Sequence, residues 1–379
     1  MRVSCRPKEL RKFTHSVRYL LLERRVWSGS RGASRALLAL FDALPEDRRH
    51  LLREAGIRGL LESWRKLLKP SLSADRDRPG HPSQSLRVII ISSLLDVFPV
   101  LLARLTCRSC LVVAPVYHLV PWAPNPEPLS LRLPKFLVQR TAVGLASLAF
   151  DAILTENSYL AERIRKWNPR MHMILGSPGV PRKWFPSNPS LGGTGPRDID
   201  VLFLSAFKEA KGVDDVLRMW EHLRAWSIGQ SMVIAGYASP FDEARVRDLI
   251  SGERTSGVIL RPNVSEEEKF TLLQRSKLVV LPSYMEGIPY VFYEAMAYGA
   301  RVVTYALPTY CDLRGHISAV PPGDILALAE QARKGLLDYP HHCEEDLRRN
   351  YEFARHHIFE EVIQDMAFNL QAWAEGSPL

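Results

Sequence analysis

Glu286 and Glu294 are the two residues whose type and spacing best support chemistry in this chain. They lie in residues 278–306, LVVLPSYMEGIPYVFYEAMAYGARVVTYA, which read as a strand, a turn containing Gly287, a helix and a second strand. Pro289 suits the first helical position, where its missing N–H costs nothing, and Gly299 ends the helix. Such a helix aims its first backbone N–H groups at whatever lies above the strand, an arrangement that favours a phosphate or diphosphate. Glu286 then sits in the turn, and Glu294 about one and a half turns into the helix, within reach of a ligand's hydroxyls. Taken alone, the segment also fits any βαβ unit with solvated acids. The Tyr, Phe, Ala and Met residues around Glu294 argue against a solvated position there, and a carboxylate in such surroundings wants a partner.

Three more places carry candidate groups. Lys211 precedes Gly212 in the loop after VLFLS, where its ammonium can reach a phosphate at the start of the next helix; a solvated loop lysine is the plainer explanation. His118 ends the strand LVVAPVYH, where a neutral imidazole can hydrogen-bond a substrate hydroxyl or serve structure alone. Gly29, Ser30 and Gly32 belong to a Gly/Ser loop running into a helix, a weak signal that an ordinary turn also satisfies. The five cysteines make no framework. Cys107 and Cys110 form a lone CxxC without a second pair at zinc-like spacing, so buried small side chains are the expectation and no metal ligands are assigned.

The elements that must hold these groups follow from the rest of the chain. Its 379 residues, 46% hydrophobic and 24% charged, describe an ordinary globular composition with room for two domains. The net charge of +9 favours anionic partners: nucleotide phosphates, nucleic acid or an anionic membrane face. No apolar window of about 18 residues and no signal-peptide core is present, so a soluble, cytoplasmic chain is expected.

Pro, Gly and Ser are dense in 69–85, a connection inside the N-terminal half, and in 176–197, which precedes a fresh strand. The second is the expected domain boundary, giving domains 1–185 and 186–344, with a long C-terminal helix in 345–375 packing back on the first. Beyond the boundary strands and helices alternate: strands 199–204, 231–235, 258–260 and 278–281, and helices 213–225, 242–251 and 266–276. The N-terminal half alternates less cleanly, with strands 17–23, 87–92, 111–116 and 152–155. The expected fold is α/β, two Rossmann-like doubly wound parallel-sheet domains facing a cleft, with ligands at the carboxyl ends of the strands.

The succession GSRG, His118 at a strand end, DAILTENSYLAERI, SPGVPRKWFP, AKG and NVSEEEKFTLLQRSKLVVLPSYMEGIPYVFYEAMAYGARVV resembles the retaining family 4 glycosyltransferases of the GT-B fold. The resemblance is close in the C-terminal half and loose in the N-terminal half. Its most specific element is the E-x7-E pair of Glu286 and Glu294. It implies a hexosyltransferase whose donor is a nucleotide-diphosphate sugar and which needs no other cofactor and no metal. It further implies that Glu294 holds the ribose hydroxyls and Glu286 the hydroxyls of the donor sugar. Backbone groups of Gly287, Ile288, Pro289 and Tyr290 line the diphosphate and sugar, and Lys211 neutralises the departing diphosphate. His118 contacts the transferred sugar from the other domain, and the base rests on 261–264, which contains Asn263 and Val264, ahead of a helix opened by the capping-box-like SEEE. The Gly29, Ser30 and Gly32 loop falls on the acceptor side.

One departure stands out. Where the family commonly carries an arginine about five residues before the loop lysine, this chain has Ala206, and Lys208 is a substitute only as a point charge. Weaker donor binding, altered donor chemistry or a catalytically silent sugar-nucleotide-binding or scaffold protein all stay open on that account. The basic N-terminal residues and the helix GIRGLLESWRKLLK suit either an anionic membrane face or a solvated amphipathic surface. The first would put the chain on the inner face of the cell membrane and make a lipid-linked or cell-envelope glycan the acceptor. Nucleic acid is not expected, because no binding module accompanies the charge.

Overall fold

A computed structural model describes residues 17–24, 31–54, 86–91, 110–115, 150–186 except 168 and 170, 197–339 and 344–376, with isolated positions at 137, 141, 145 and 148. The chain divides into two compact units. The first comprises Met1–Leu119, Lys135–Ser177 and Glu361–Leu379, and the second Val120–Pro134 and Pro178–Glu360.

Short apolar runs in the first unit become strands β1 (Val17–Arg24), β2 (Arg49–Glu54), β3 (Leu86–Ile91), β4 (Cys110–Pro115), β5 (Ala152–Thr155) and β6 (His172–Leu175). All pair in parallel, in the order β2-β1-β3-β4-β5-β6. The continuous runs in β3, β4 and β5 are what a sheet covered on both faces requires. Strand β2, RHLLRE, was not foreseen: its two leucines sit among charges, as befits the edge of a sheet. Helix α1 (Arg31–Ala43) buries Ala36, Leu37, Leu40 and Phe41 at helical spacing. Helix α2 (Ser158–Trp167) follows β5 and is capped by Asn157, whose Oδ1 accepts from Leu160 N at 3.0 Å. The chain's last stretch lies against β6. His172 stacks on Trp373 with ring centroids 5.4 Å apart, and a Cβ on Gly176 would come within 2.2 Å of the Met366 sulfur.

The second unit alternates more regularly. In chain order it contains β7 (Ile199–Leu204), α3 (Val213–Ala225), β8 (Met232–Gly236), α4 (Pro240–Leu249), β9 (Val258–Pro262) and α5 (Glu266–Arg275). There follow β10 (Ser276–Leu281), α6 (Tyr290–Ala297), β11 (Arg301–Tyr305), β12 (Ser318–Val320), α7 (Ile325–Leu337) and α8 (Glu344–Arg355). Helix α9 (Phe359–Ala374) begins here and runs into the first unit. Helices α3 and α7 lie side by side, as do α6 and α8.

The six strands pair in parallel in the order β12-β11-β10-β7-β8-β9. From β7 the chain therefore winds outward through β8 and β9, returns to the other side of β7 at β10, and winds outward again through β11 and β12. Right-handed crossovers put the two series of helices on opposite faces. The reversal between β7 and β10 leaves a crevice above their carboxyl ends, the place where such sheets take ligands. Strands β7 and β10 are buried along almost their whole length. The buried Arg197 ties the opposite end of the sheet, donating to the carbonyls of Ser276 and Tyr298.

Candidate functional site

The loops leaving β7 and β10 are in backbone contact. After β7 the chain passes through a 3-10 turn, Glu209–Lys211, and reverses at Gly212, whose φ of 76° lies in the left-handed region. A Cβ on Gly212 would stand 2.2 Å from the carbonyl oxygen of Pro282, so the approach of the two loops admits no side chain there. Tyr284 N donates to the Ala210 carbonyl at 3.0 Å and fixes the register between them. The consequence is a direct bond from Lys211 Nζ to Glu286 Oε1. These side chains keep 26% and 17% of their surface exposed, so the pair is open to a ligand. Ser283 Oγ donates to the same carboxylate oxygen at 3.3 Å, and Thr309 Oγ1 donates to the Glu286 carbonyl at 3.0 Å.

Glu294 lies on the next helix and is 2% exposed. Its partner is Lys269 of α5, whose Nζ is 2.7 Å from Oε1. The helix carrying Glu294 starts one residue later than expected: Pro289, at φ −68° and ψ 128°, is the cap rather than the first helical residue. Its leading N–H groups thus belong to Tyr290 and Val291, ahead of Phe292, which donates to the Pro289 carbonyl at 3.1 Å. Gly287 is partly exposed in the turn, and Ile288 is buried in the core. Ser265 caps α5 through an acceptor bond from Glu268 N at 3.1 Å, as SEEE led one to expect.

Asn263 has a structural task. At φ 54° it donates its N–H to the Gly236 carbonyl at 2.6 Å, accepts from Ala238 N at 3.2 Å and donates Nδ2 to the Ala238 carbonyl at 3.1 Å. This side chain holds the loop after β8, and Val264 beside it is partly buried against the core. Lys208 is exposed at the mouth of the β7 loop. The loop that lacks an arginine at Ala206 receives one from elsewhere: Arg245 Nη2 donates to the Phe207 carbonyl at 3.2 Å while Nη1 holds Asp214 Oδ1 at 2.6 Å.

Behind the Lys211 and Glu286 loops lies a group that sequence reasoning missed. The buried carboxylate of Asp215, in the first turn of α3, accepts at Oδ2 from Tyr284 at 2.5 Å and from Tyr305 at 2.7 Å. Burial, and then the bond to Asp215, pushes the Tyr284 hydroxyl up to about 12, and the same causes push Tyr305 up further. Tyr310 is buried beside this region, facing Phe292 edge-on at 5.4 Å; burial, and then the charge of Glu286, raises its hydroxyl well above the usual tyrosine range.

The structure therefore brings Lys211 to Glu286 and gives Glu294 a partner, all within the second unit. His118, Gly29 and Ser30, like Cys107 and the basic helix 56–68, lie outside the described residues; Gly32 falls inside α1. Lys269 also escaped notice, although a lysine one turn from the buried Leu272 and Leu273 on the same helix was a readable sign. Among the described residues no cluster of three His, Cys, Asp or Glu side chains stands ready to hold a metal ion, and no helix is long and apolar enough to cross a membrane.

Residues 192–355 match the family described as Glycosyl transferases group 1. No curated protein sequence is similar enough to count as a relative. Among solved structures, sucrose-phosphate synthase from Thermosynechococcus elongatus superposes with a TM-score of 0.69 at 16% identity, covering 96% of this chain and 100% of that one. The Anabaena protein HepE, solved in complex with UDP and glucose, gives 0.69 at 15% identity over 94% of this chain and 99% of that one. The N-terminal domain of Candida albicans trehalose-6-phosphate phosphatase gives 0.65 at 13% identity over 95% of this chain and 97% of that one. The fold is that of the GT-B glycosyltransferases, with two Rossmann-like units.

Proposed function

We propose, from the premise that residues 192–355 form a glycosyl transferases group 1 domain, that the chain transfers a hexose from a nucleotide-diphosphate sugar to a glycan acceptor with retention at the anomeric carbon. The observation that carries this reading is the Lys211 and Glu286 pair at the strand reversal between β7 and β10. A diphosphate entering above these strands competes for the Lys211 ammonium and releases Glu286 to accept from hydroxyls of the donor sugar. When the bond from the anomeric carbon to the phosphate oxygen breaks, negative charge grows on the diphosphate and positive charge on the sugar. A fixed ammonium and the leading N–H groups of α6 stabilise the first without reorganising. Lys211 thereby does the work of a divalent metal. In front-face displacement the acceptor hydroxyl bonds to the anomeric carbon on the side the diphosphate leaves, and its proton passes to the departing phosphate oxygen. No protein nucleophile is assigned.

Support for the donor class comes from HepE, which has been solved with UDP-glucose as well as with UDP. The net charge of +9 favours an acceptor at an anionic surface, so the acceptor is proposed to be a lipid-linked or cell-envelope glycan, met by a protein peripheral to the inner face of the membrane. A second reading, a silent sugar-nucleotide-binding protein, draws on Ala206 alone.

The test is nucleotide release from UDP-, GDP- and ADP-sugars, with and without membrane lipid extract, comparing the unmodified chain with Glu286→Ala. Release that requires one donor and is lost in the variant supports transfer, and stimulation by lipid supports the acceptor class. Donor binding without release supports the silent protein.

A further inference from the structure

Lys269 and Glu294 form an unequal pair. The Glu294 side chain is 3% exposed and that of Lys269 is 20% exposed, with Nζ 2.7 Å from Oε1. Lys269 also has Glu266 Oε1 at 3.9 Å and rests its ammonium 4.2 Å from the centre of the Phe270 ring. A carboxylate as enclosed as Glu294 needs a cation to stay charged inside the fold. One proton of an ammonium satisfies that need, and an ammonium carries three. The remaining donors of Lys269 belong to the more open member of the pair.

We propose that Lys269 and Glu294 read the ribose together, as one donor and one acceptor, making Lys269 a determinant of donor recognition. This rests on the donor reading given above. Each hydroxyl of a vicinal diol both donates and accepts. With Oε1 held by Lys269, one ribose hydroxyl donates to Glu294 Oε2 and its neighbour accepts from Lys269 Nζ. A carboxylate acting alone would instead take both hydroxyls as donors. The paired arrangement penalises loss of either hydroxyl, because each deletion leaves a desolvated charged group without its partner.

The experiment is calorimetric titration of the whole chain with UDP, GDP and ADP and with their 2′-deoxy and 3′-deoxy counterparts, for the unmodified protein, Lys269→Met and Lys269→Arg. The unmodified chain is expected to prefer its ribonucleotide over both deoxy forms by about tenfold or more, the scale of a charge-assisted hydrogen bond. Lys269→Met should weaken the ribonucleotide by roughly 10- to 100-fold and bring its preference close to one over the deoxy form that lacks the hydroxyl facing Lys269, with a preference over the other deoxy form remaining through Glu294, while Lys269→Arg retains part of the affinity and of the preference. A purely structural lysine would lower the melting temperature and leave the ratio intact. Should Lys269→Met fail to fold, Lys269→Gln carries the same comparison. An unchanged ratio in a folded variant overturns this inference and leaves the donor reading standing. Failure of the unmodified chain to bind any nucleoside diphosphate overturns the donor reading and this inference with it.

Discussion

Lys211 and Glu286 stand 75 residues apart in sequence and share a hydrogen-bonded ion pair above the strand reversal of the second unit. Neither is held by this bond alone. Gly212 packs on Pro282 behind the lysine, and Ser283 and Thr309 hold the two ends of the glutamate. A pair built in this way acts as a unit, so its members should not contribute independently to turnover. Lys211→Met is expected to lower kcat by about 10²- to 10³-fold, the effect of deleting one preorganised charge stabiliser. Combining it with Glu286→Gln should cost little more than the worse single change. Steady-state kinetics of the four proteins check this; strict multiplicativity would mean that the two residues work separately.

Gly212→Ala tests the loop contact itself. The substitution meets both a left-handed backbone at φ 76° and a backbone oxygen at 2.2 Å, so one loop has to give way. A loss of about 2–3 kcal/mol is expected, together with loss of donor turnover, because Lys211 is the preceding residue. Gly315→Ala supplies the control: its φ is 84°, yet no atom lies within 4 Å of the added carbon, so only the backbone strain of roughly 1 kcal/mol applies. Chemical denaturation of the two variants should separate steric approach from strain.

How far the sequence carried the fold follows from where the information sits. Strands β7 and β10 were legible because a parallel strand buried on both faces is an unbroken apolar run, and α3 because its periodicity and its flanking Gly212 agree. Strand β2 was not, because an edge strand with two leucines looks like any charged loop. Glu286, Glu294 and Lys211 were legible as types at a spacing, but their partners were not. Glu294 meets Lys269 only because α5 packs against α6, and Asp215 meets Tyr284 and Tyr305 only because the first turn of α3, the loop after β10 and the end of β11 converge. Asn263 was read as a ligand contact, whereas its side chain holds the loop after β8, a use that depends on a positive φ the sequence does not announce.

Asp215 predicts a site that fails from behind. Asp215→Ala leaves the buried Tyr305 hydroxyl and the partly buried Tyr284 hydroxyl without their acceptor, at a cost of about 2–4 kcal/mol, whereas Tyr305→Phe removes one donor and should cost about 1–2 kcal/mol. The pH dependence has a defined sign. Tyr284 is kept neutral by the fold and its hydroxyl is pushed up to about 12, so the stability it contributes is fully present below its ordinary value of 10.0 and is lost as pH rises from there toward 12. Absorbance titration at alkaline pH should show a group of tyrosines, Tyr284 and Tyr305 among them, that ionise late, and Tyr284→Phe should reduce that group by one.

The acid limb should report a different residue. His357 follows α8, with its Nδ1 2.6 Å from the Phe353 carbonyl and its ring 4.8 Å from that of Tyr293 and 4.6 Å from that of Phe353. Burial pulls its pKa below the ordinary 6.5, the nearby His356 and His316 add to the effect, and the bond to Phe353 opposes it. A histidine that the fold keeps neutral contributes stability that is present above 6.5 and is lost as pH falls through that value toward the folded one. His172 in the first unit is lowered in the same direction, by burial and then by Arg165. Each unit therefore carries its own acid-sensitive imidazole. Thermal unfolding followed from pH 7.5 to 5 should show a midpoint that falls with acidification. His357→Gln should flatten the slope for the second unit and leave that of the first unchanged. An equal slope in both proteins would mean that acid destabilisation arises elsewhere.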